Sequence, residues 1–170
     1  VPRNGAPTRE RILDAAERLV IDNGYAATSV DRVIAESRTS KGSFFHHFAS
    51  KEVLGVAAAQ FWNETTGALF ASAPYHEPTD PLDRVLAYLD FREMLIGGET
   101  WEWTCLVGTM AEEVHATHPA IAAACGRSIF DHAATLEADI AEAMARRGIT
   151  QPAAASLARH TQAVLQGAFI

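Results

Sequence analysis

Apolar residues recur every three or four positions through most of the chain, which is the spacing of one buried face of an α-helix. The pattern predicts an all-α fold of eight helices. It predicts one uninterrupted helix over residues 100–117 and a longer one that ends at Gly148. The clearest apolar run in that longer helix is Ile121, Cys125, Ile129, His132, Leu136, Ile140 and Ala143.

Glycine, proline and small polar residues mark where the helices begin and end. The first helix ends at Asn23-Gly24, and the segment 37–39 separates two short helices. Ser40 is placed to cap the third helix and Ser50 to cap the fourth, because a serine side chain accepts a hydrogen bond from the first helical turn. Three prolines predict a loop at 73–81 before the fifth helix.

The charge of the chain divides unevenly. The 170 residues carry a net charge of −7, with eight Lys and Arg against seven Asp and Glu in residues 1–52, and six against fourteen in residues 53–170. This division separates a near-neutral head at 1–52 from an acidic C-terminal helical bundle at 53–170. Charge alone does not indicate DNA binding, and it is the helical pattern of residues 1–52 that predicts a three-helix helix-turn-helix head. The apolar ending Gly167–Ile170 looks like an unfinished helix, so we expect chain beyond it.

Two observations bear on location. The sequence has no apolar run near the roughly 18 residues of a membrane span and no basic-then-apolar leader. The two cysteines, Cys105 and Cys125, are isolated, which fits a reducing compartment. We therefore expect a cytoplasmic protein without a membrane partner.

The second and third helices have the arrangement of a helix-turn-helix, in which short helices with apolar inner faces cross on the first helix. Small donors and a cation would then face the major groove, because such side chains suit base edges and phosphates. Gly42 would let the backbone approach DNA, and Lys51 adds a cation beside a helix N-terminus. The remaining exposed candidates are Thr39, Ser40, Lys41, Ser43 and Phe45.

The same segment resembles the tetracycline-repressor (TetR) family. The residues that carry the resemblance are Thr8 to Ala16 followed by Gly24-Tyr25, Thr28-Ser29-Val30 with Ile34-Ala35, and Ser40-Lys41-Gly42-Ser43-Phe44-Phe45-His46-His47-Phe48 followed by Ser50-Lys51-Glu52. The resemblance implies a sequence-specific DNA-binding regulator. We expect a repressor that a small apolar or aromatic ligand releases from a palindromic double-stranded operator.

Two positions depart from the pattern of that family. Arg38 and Thr39 stand in the turn where Gly and Val are frequent, so Arg38 would sit in a less relaxed turn and add a DNA contact. Phe45 replaces a frequent Tyr and offers only an apolar contact. We therefore expect phosphate contacts to depend on His47, Lys51 and Thr28.

The C-terminal half resembles the ligand-binding and dimerisation domain of the family. Mostly apolar pockets between helices are the usual small-molecule sites. Because Trp101 and Trp103 cannot face the same way, we expect one of them to line the pocket. The candidate ligand-binding residues are Phe61, Trp62, Tyr88, Phe91, Trp101, Trp103, Met110 and Phe130. Ordinary core packing is the alternative for each of them.

A homodimer is the expected assembly, since the family binds symmetric operators. The last helix carries an apolar stripe that would form the interface with part of the preceding long helix. Its candidate interface residues are Leu157, Thr161, Val164, Leu165 and Ala168. Intrachain core is the alternative use of this stripe.

An enzyme is the main competing class. Glu112 and His115 have the spacing used in di-metal carboxylate bundles, and His118, His132 and Glu137 could join them. A solvated helix end explains the first two histidines more simply. Redox sensing through Cys105 is a further alternative, against a role as a small core residue. No nucleophile elbow, phosphate loop or dinucleotide turn is present in the sequence, so no catalytic residue or cofactor is expected.

Overall fold

The computed structural model describes residues 8–169, apart from the side chains of residues 100 and 101. The chain between residues 8 and 169 contains α-helices, one short 3-10 turn and no β-strand, which confirms the predicted all-α fold. The helices are α1 (Thr8–Asn23), α2 (Val30–Glu36), α3 (Lys41–His47), α4 (Lys51–Ala71), α5 (Pro81–Met94), α6 (Thr100–Trp103), α7 (Leu106–Val114), α8 (Pro119–Ala134), α9 (Glu137–Arg146) and α10 (Ala154–Gln166). None of the described helices is long and apolar enough to cross a bilayer.

The first three helices pack around a small apolar centre, and we call them the head. Ile12 and Leu13 of α1 are fully buried against Val33 of α2 and Phe44 of α3. Phe48, which caps the C-terminus of α3, closes this centre with its ring 5.9 Å from that of Phe44. The apolar positions predicted for the helix-turn-helix therefore face inward.

Serine side chains cap the N-termini of α2, α3 and α4. The side chains of Ser29, Ser40 and Ser50 accept the backbone N–H of the residue three positions later, at 3.1–3.2 Å. Ser40 and Ser50 were predicted as caps, and Ser29 caps α2 in the same way. These caps fix helix starts locally, because each satisfies an N–H that has no partner within its own helix.

The core of the head continues into the rest of the chain. Buried residues of α4, α7 and α8, among them Leu54, Met110 and Ile121, belong to the same apolar cluster as the head residues. The predicted domain boundary at residue 52 falls in the first turn of α4. The head is therefore joined to the body, residues 53–169, by shared packing as well as by the chain.

A second apolar cluster lies at the far end of the body, among α5, α9, α10 and the 3-10 turn. Tyr88 is fully buried there, with its ring centroid 5.3 Å from that of Tyr75. Phe91 packs against the same group at 5.7 Å from Tyr75. Tyr88 and Phe91 therefore anchor α5 in this aromatic cluster.

The prediction of one helix over residues 100–117 is wrong. The chain leaves the helical conformation at Thr104 and Cys105, and α7 starts at Leu106 and ends at Val114. The backbone N–H of Cys105, which a continuous helix would bond four residues back, instead donates to the carbonyl of Phe169 at 2.6 Å. A long-range partner thus decides this break.

The prediction of one helix up to Gly148 is also wrong. Helix α8 ends at Ala134, the Thr135 hydroxyl bonds back to the carbonyl of His132 at 2.7 Å, and α9 begins at Glu137. The change of direction lets Leu136 and Ile140 enter the second cluster. Apolar spacing persists across the bend, which is why the sequence does not reveal it.

Helices α4 and α8 approach each other closely at Gly55. A Cβ built on Gly55 would lie 2.7 Å from Ile121 Cδ1 and 2.9 Å from Tyr25 Cε2, both in buried side chains. A Cβ on Gly67, further along the same helix, would meet nothing within 4 Å. Only the first of these glycines is required by packing.

We predict opposite effects of alanine at these two positions. Gly55→Ala should lower the free energy of unfolding by about 1–3 kcal/mol because the core must be displaced. Gly67→Ala should raise it by up to about 1 kcal/mol because alanine favours the helix. Denaturant titration of both variants measures the difference, and equal shifts for the two would contradict the close contact of α4 and α8.

Candidate DNA-binding surface and internal cavity

The turn between α2 and α3 holds α3 in place. Ser37 is buried, and its hydroxyl bonds to the Ile34 carbonyl at 3.2 Å and lies 2.9 Å from the Thr39 hydroxyl. Arg38 has a φ of 52°, in the left-handed region that favours glycine. The unusual turn predicted at Arg38 is therefore present, and its side chain is exposed.

Most of the predicted DNA-binding residues lie on the surface around α3. The exposed members are Arg38, Ser40, Lys41, Gly42 and Phe45. The half-buried members are Thr39, Ser43 and His47. This surface offers cations, hydroxyls and one aromatic edge, which is the mixture that phosphate and base-edge contacts use.

Two of the residues predicted to contact DNA make contacts within the chain instead. Thr28 is 3% exposed, and its hydroxyl donates to the carbonyls of Leu19 and Gly24, so a side-chain contact from Thr28 to DNA is contradicted. Lys51 is half-buried, with its Nζ 4.4 Å from the ring centroid of Tyr25 and 3.1 Å from the Ala26 carbonyl. Lys51 therefore packs against the loop between α1 and α2.

A carboxylate of the body holds that same loop. Glu113 on α7 accepts the backbone N–H of Tyr25 at 2.5 Å and that of Ala26 at 2.8 Å. Burial lowers the pKa of Lys51, and the Glu113 charge acts in the opposite direction. This contact was not predicted from the sequence, because Glu113 lies almost ninety residues from its partners.

A partly open cavity of about 370 Å³ lies between α4, α5, α8 and α10, with α6 and α7 at one side. Apolar and aromatic side chains form much of its wall. These are Trp62, Leu69, Phe70, Leu95, Trp103, Val107, Ile129 and Phe169. Of the predicted ligand-binding residues, Trp62 and Trp103 are on this wall.

The other predicted ligand-binding residues do not line the cavity. Tyr88 and Phe91 belong to the second apolar cluster, and Met110 is buried in the first, with Phe61 packed against it. Phe130 is 61% exposed on the outer side of α8. The side chain of Trp101 lies outside the described residues. Aromatic composition alone did not distinguish core, wall and surface.

The polar part of the wall was missed by the sequence analysis. Arg92, Gln162 and Gln166 line the cavity and are 5%, 4% and 9% exposed. Arg92 Nη1 donates to Tyr88 Oη at 2.9 Å and to Gln162 Oε1 at 3.3 Å. Their four-residue spacings, Tyr88 to Arg92 and Gln162 to Gln166, are a signal that could have marked a polar face on each helix.

His132 completes this group from α8. Its Nε2 lies 2.9 Å from Tyr88 Oη, and its ring centroid is 4.3 Å from that of Phe70. Burial first, and the Arg92 charge second, lower the pKa of His132 to about 4. The imidazole is therefore neutral at pH 7, and Arg92 is the cation of this wall.

The predicted dimer residues on and after α10 divide into two sets. Leu157 and Leu165 pack against the second apolar cluster, so they serve the core of their own chain. Thr161 is half-buried, whereas Val164 is 64% exposed and Ala168 is exposed. Val164 and Phe130 are thus apolar side chains left on the outer faces of α10 and α8.

The residues considered for a metal site do not converge. His115 Nδ1 lies 2.9 Å from the carbonyl of Glu112, and His118 Nδ1 lies 2.9 Å from the Thr117 hydroxyl. His132 faces Tyr88. Among residues 8–169, no group of three or more His, Cys, Asp or Glu side chains is arranged to hold a metal ion.

The two cysteines differ in access. Cys105 is half-buried and lines the cavity. Cys125 is fully buried, and this burial, with Cys105 as a second cause, raises the pKa of its thiol to about 12. Cys125 is therefore an inert core residue at neutral pH, and redox sensing through Cys105 stays a prediction.

Two family models match the chain. Residues 12–58 match the model of bacterial regulatory proteins of the tetR family, and residues 81–170 match that of the LmrA/YxaF-like C-terminal domain of transcriptional regulators. Together the two matched segments include α2, α3 and most of the cavity wall.

Curated relatives carry regulator names. The transcriptional regulator AcuR of Cereibacter sphaeroides is 25% identical over 123 residues, which are 68% of this chain and 56% of AcuR. LmrA of Bacillus subtilis is 36% identical over 83 residues, 48% of this chain and 44% of LmrA. The repressor NemR of Escherichia coli K12 is 31% identical over 90 residues, 48% of this chain and 41% of NemR. The chain thus spans about half the length of these relatives.

Solved structures share the fold. The reduced form of E. coli NemR has a TM-score of 0.81 at 22% identity, covering 96% of this chain and 85% of that one. A regulatory protein TetR from Rhodobacter sphaeroides has a TM-score of 0.83 at 22% identity, covering 96% and 87%. At these identities the likeness shows the fold alone.

The left-handed turn gives a stability prediction. Arg38→Gly should raise the free energy of unfolding by about 1 kcal/mol relative to Arg38→Ala, because alanine keeps the left-handed penalty that glycine lacks. Both variants remove the same guanidinium, so urea denaturation of the pair isolates the backbone. A glycine variant less stable than the alanine variant would contradict the strained conformation at Arg38.

Proposed function

The chain belongs to the TetR family of bacterial transcriptional regulators, and we propose that it is a repressor whose α3 binds operator DNA and whose cavity binds a releasing ligand. One observation carries this proposal. Helix α4 begins at Lys51 beside the head, and its second half supplies Trp62, Thr66 and Phe70 to the cavity wall. Its 21 residues span about 31 Å.

Binding to DNA would use α3 as the recognition helix in the major groove. Its capped N-terminus puts Lys41 and the exposed Ser40 at the first turn, and Arg38 stands just before them. These residues supply phosphate contacts, while Ser43 and Phe45 are placed to reach base edges. Because the head is near neutral in charge, we propose that only a few phosphates are contacted by each subunit.

Ligand control would act through α4. A ligand against Trp62 or Phe70 displaces the second half of this helix, and the rigid core transmits the shift to its first turn. Glu113 provides a second connection, since it ties α7 to the loop before α2. The ligand releases DNA only if it binds the non-DNA conformation more tightly.

A homodimer would present two recognition helices to a palindromic operator. We propose that the outer faces of α8 and α10 form its interface. Phe130 and Val164 are exposed apolar residues there, and Thr161 and Ala168 are small neighbours of the second. Leu157 and Leu165 would contribute indirectly, because they pack α10 against the core of its own chain. Such a regulator would work in the cytoplasm, with residues 1–52 as its DNA-binding unit.

The DNA-binding proposal predicts the outcome of selection from a random DNA pool. The purified protein should enrich a palindrome, because two identical heads read it. On the selected sequence, Lys41→Ala should reduce the slope of log affinity against log salt by about 0.9 per subunit, the value for one lost phosphate contact. Arg146→Ala, an exposed arginine on α9 away from the proposed interface, is the control and should leave the slope unchanged. A pool without enrichment would refute sequence-specific binding.

The dimer proposal predicts the effect of charge on the two outer faces. Phe130→Glu and Val164→Glu should each convert a dimer into a monomer at micromolar concentration, because a carboxylate would be buried without a partner. Sedimentation velocity measures the mass, and circular dichroism verifies folding. Leu86→Glu, at a similarly exposed apolar residue on α5, should remain dimeric. A wild-type monomer, or dimeric Glu variants, would exclude this interface.

A further inference from the structure

Arg92 is a buried cation without a carboxylate partner. The guanidinium lies in the cavity wall at 5% exposure, and no Asp or Glu among the described residues is within ion-pair distance of it. Arginine keeps its charge in proteins, and an uncompensated buried charge is costly. The ring of Phe169 stacks on the guanidinium at 4.3 Å, which holds its plane but does not neutralise it.

Among Arg92, Gln162 and Gln166, the buried side-chain atoms left without a hydrogen-bond partner are donors. A guanidinium can only donate, so Arg92 fixes the amide of Gln162 with its oxygen toward Nη1. The Gln162 amino group then donates to Gln166 Oε1 at 3.3 Å. Arg92 Nε and Gln166 Nε2 are left buried with no acceptor among the described atoms. The neutral His132 adds no negative charge.

The aromatic part of the wall is suited to the apolar part of a ligand. Trp62, Phe70 and Trp103 contribute aromatic surface, and the cavity of about 370 Å³ has room for a small organic molecule. The two carboxylates on the wall do not form an ion pair with Arg92. Asp131 is exposed, and Glu102 is exposed and accepts the N–H of Glu99 at 2.8 Å.

We propose that the cavity binds an aromatic or aliphatic carboxylate, whose oxygens accept hydrogen bonds from Arg92 and Gln166 while its apolar part packs on Trp62 and Phe70. A carboxylate supplies both the missing charge and the missing acceptors, and its two oxygens suit the planar guanidinium. This inference rests on the proposed role of the cavity as the ligand site. It also adds a carboxylate to the small apolar or aromatic ligand that the sequence suggested.

The test compares two probes of nearly equal shape, 2-naphthoate and 2-naphthamide, by isothermal titration calorimetry without DNA at pH 7. Wild-type protein should bind the acid at least tenfold more tightly than the amide. Arg92→Met should abolish this preference, because it removes the cation and keeps an apolar side chain of similar length. Gln166→Leu should reduce the preference by less. Arg127→Met, at the exposed arginine on α8, should retain it.

Folding of each variant is verified by thermal melting, and Arg92→Lys provides a variant that keeps the charge without the planar fork. It should retain part of the preference. Equal binding of acid and amide by the wild type, a preference that survives in folded Arg92→Met, or no binding of 2-naphthoate would each overturn the proposal. Operator release is measured separately. Carboxylate binding through Arg92 without release of DNA would refute ligand control and leave this inference standing.

Discussion

The close packing of α4 against α8 is the constraint on which the rest of the structure depends. At Gly55 the helices are so near that a Cβ would overlap the side chain of Ile121, inside an apolar core that also contains the head. Close-packed interiors transmit displacement because they have no free volume to absorb it. A movement of α4 in the body therefore reaches its first turn. Glu113 adds a polar tie from α7 to the loop before α2, so the head is held at two points.

The far half of α4 meets a wall that is poorly designed for stability alone. A guanidinium and two amides are buried there, and together they present more hydrogen-bond donors than acceptors. An apolar replacement would serve a core equally well, as buried ionic groups rarely increase stability over well-packed hydrophobic residues. Local conflicts of this kind mark functional sites. In our proposal an acceptor from outside the described chain completes the wall, and α4 would connect its binding to α3.

Local signals predicted much of the fold and of the exposed surface around α3. Ser40 and Ser50 identify helix starts because a cap is a contact between residues three apart. The turn at Arg38 was predicted from the break in the helical pattern at 37–39. The ligand site was predicted less well. Phe130 and Met110 have the same apolar character in the sequence, yet one is exposed and the other is fully buried. Which aromatic faces a cavity depends on where helices meet, and a one-dimensional pattern does not contain that information.

The sequence by itself determined the all-α class, the helix-turn-helix and the family, because apolar periodicity, capping residues and the segment from Ser40 to Glu52 are properties of neighbouring positions. Only the tertiary structure decided where the long helices break, since Cys105 bonds to Phe169 and Leu136 turns into a second core. It also decided that Thr28 faces inward and that Arg92 is buried beside a cavity without a carboxylate partner among the described residues. These outcomes depend on partners distant along the chain, whose approach is set by packing of the whole molecule.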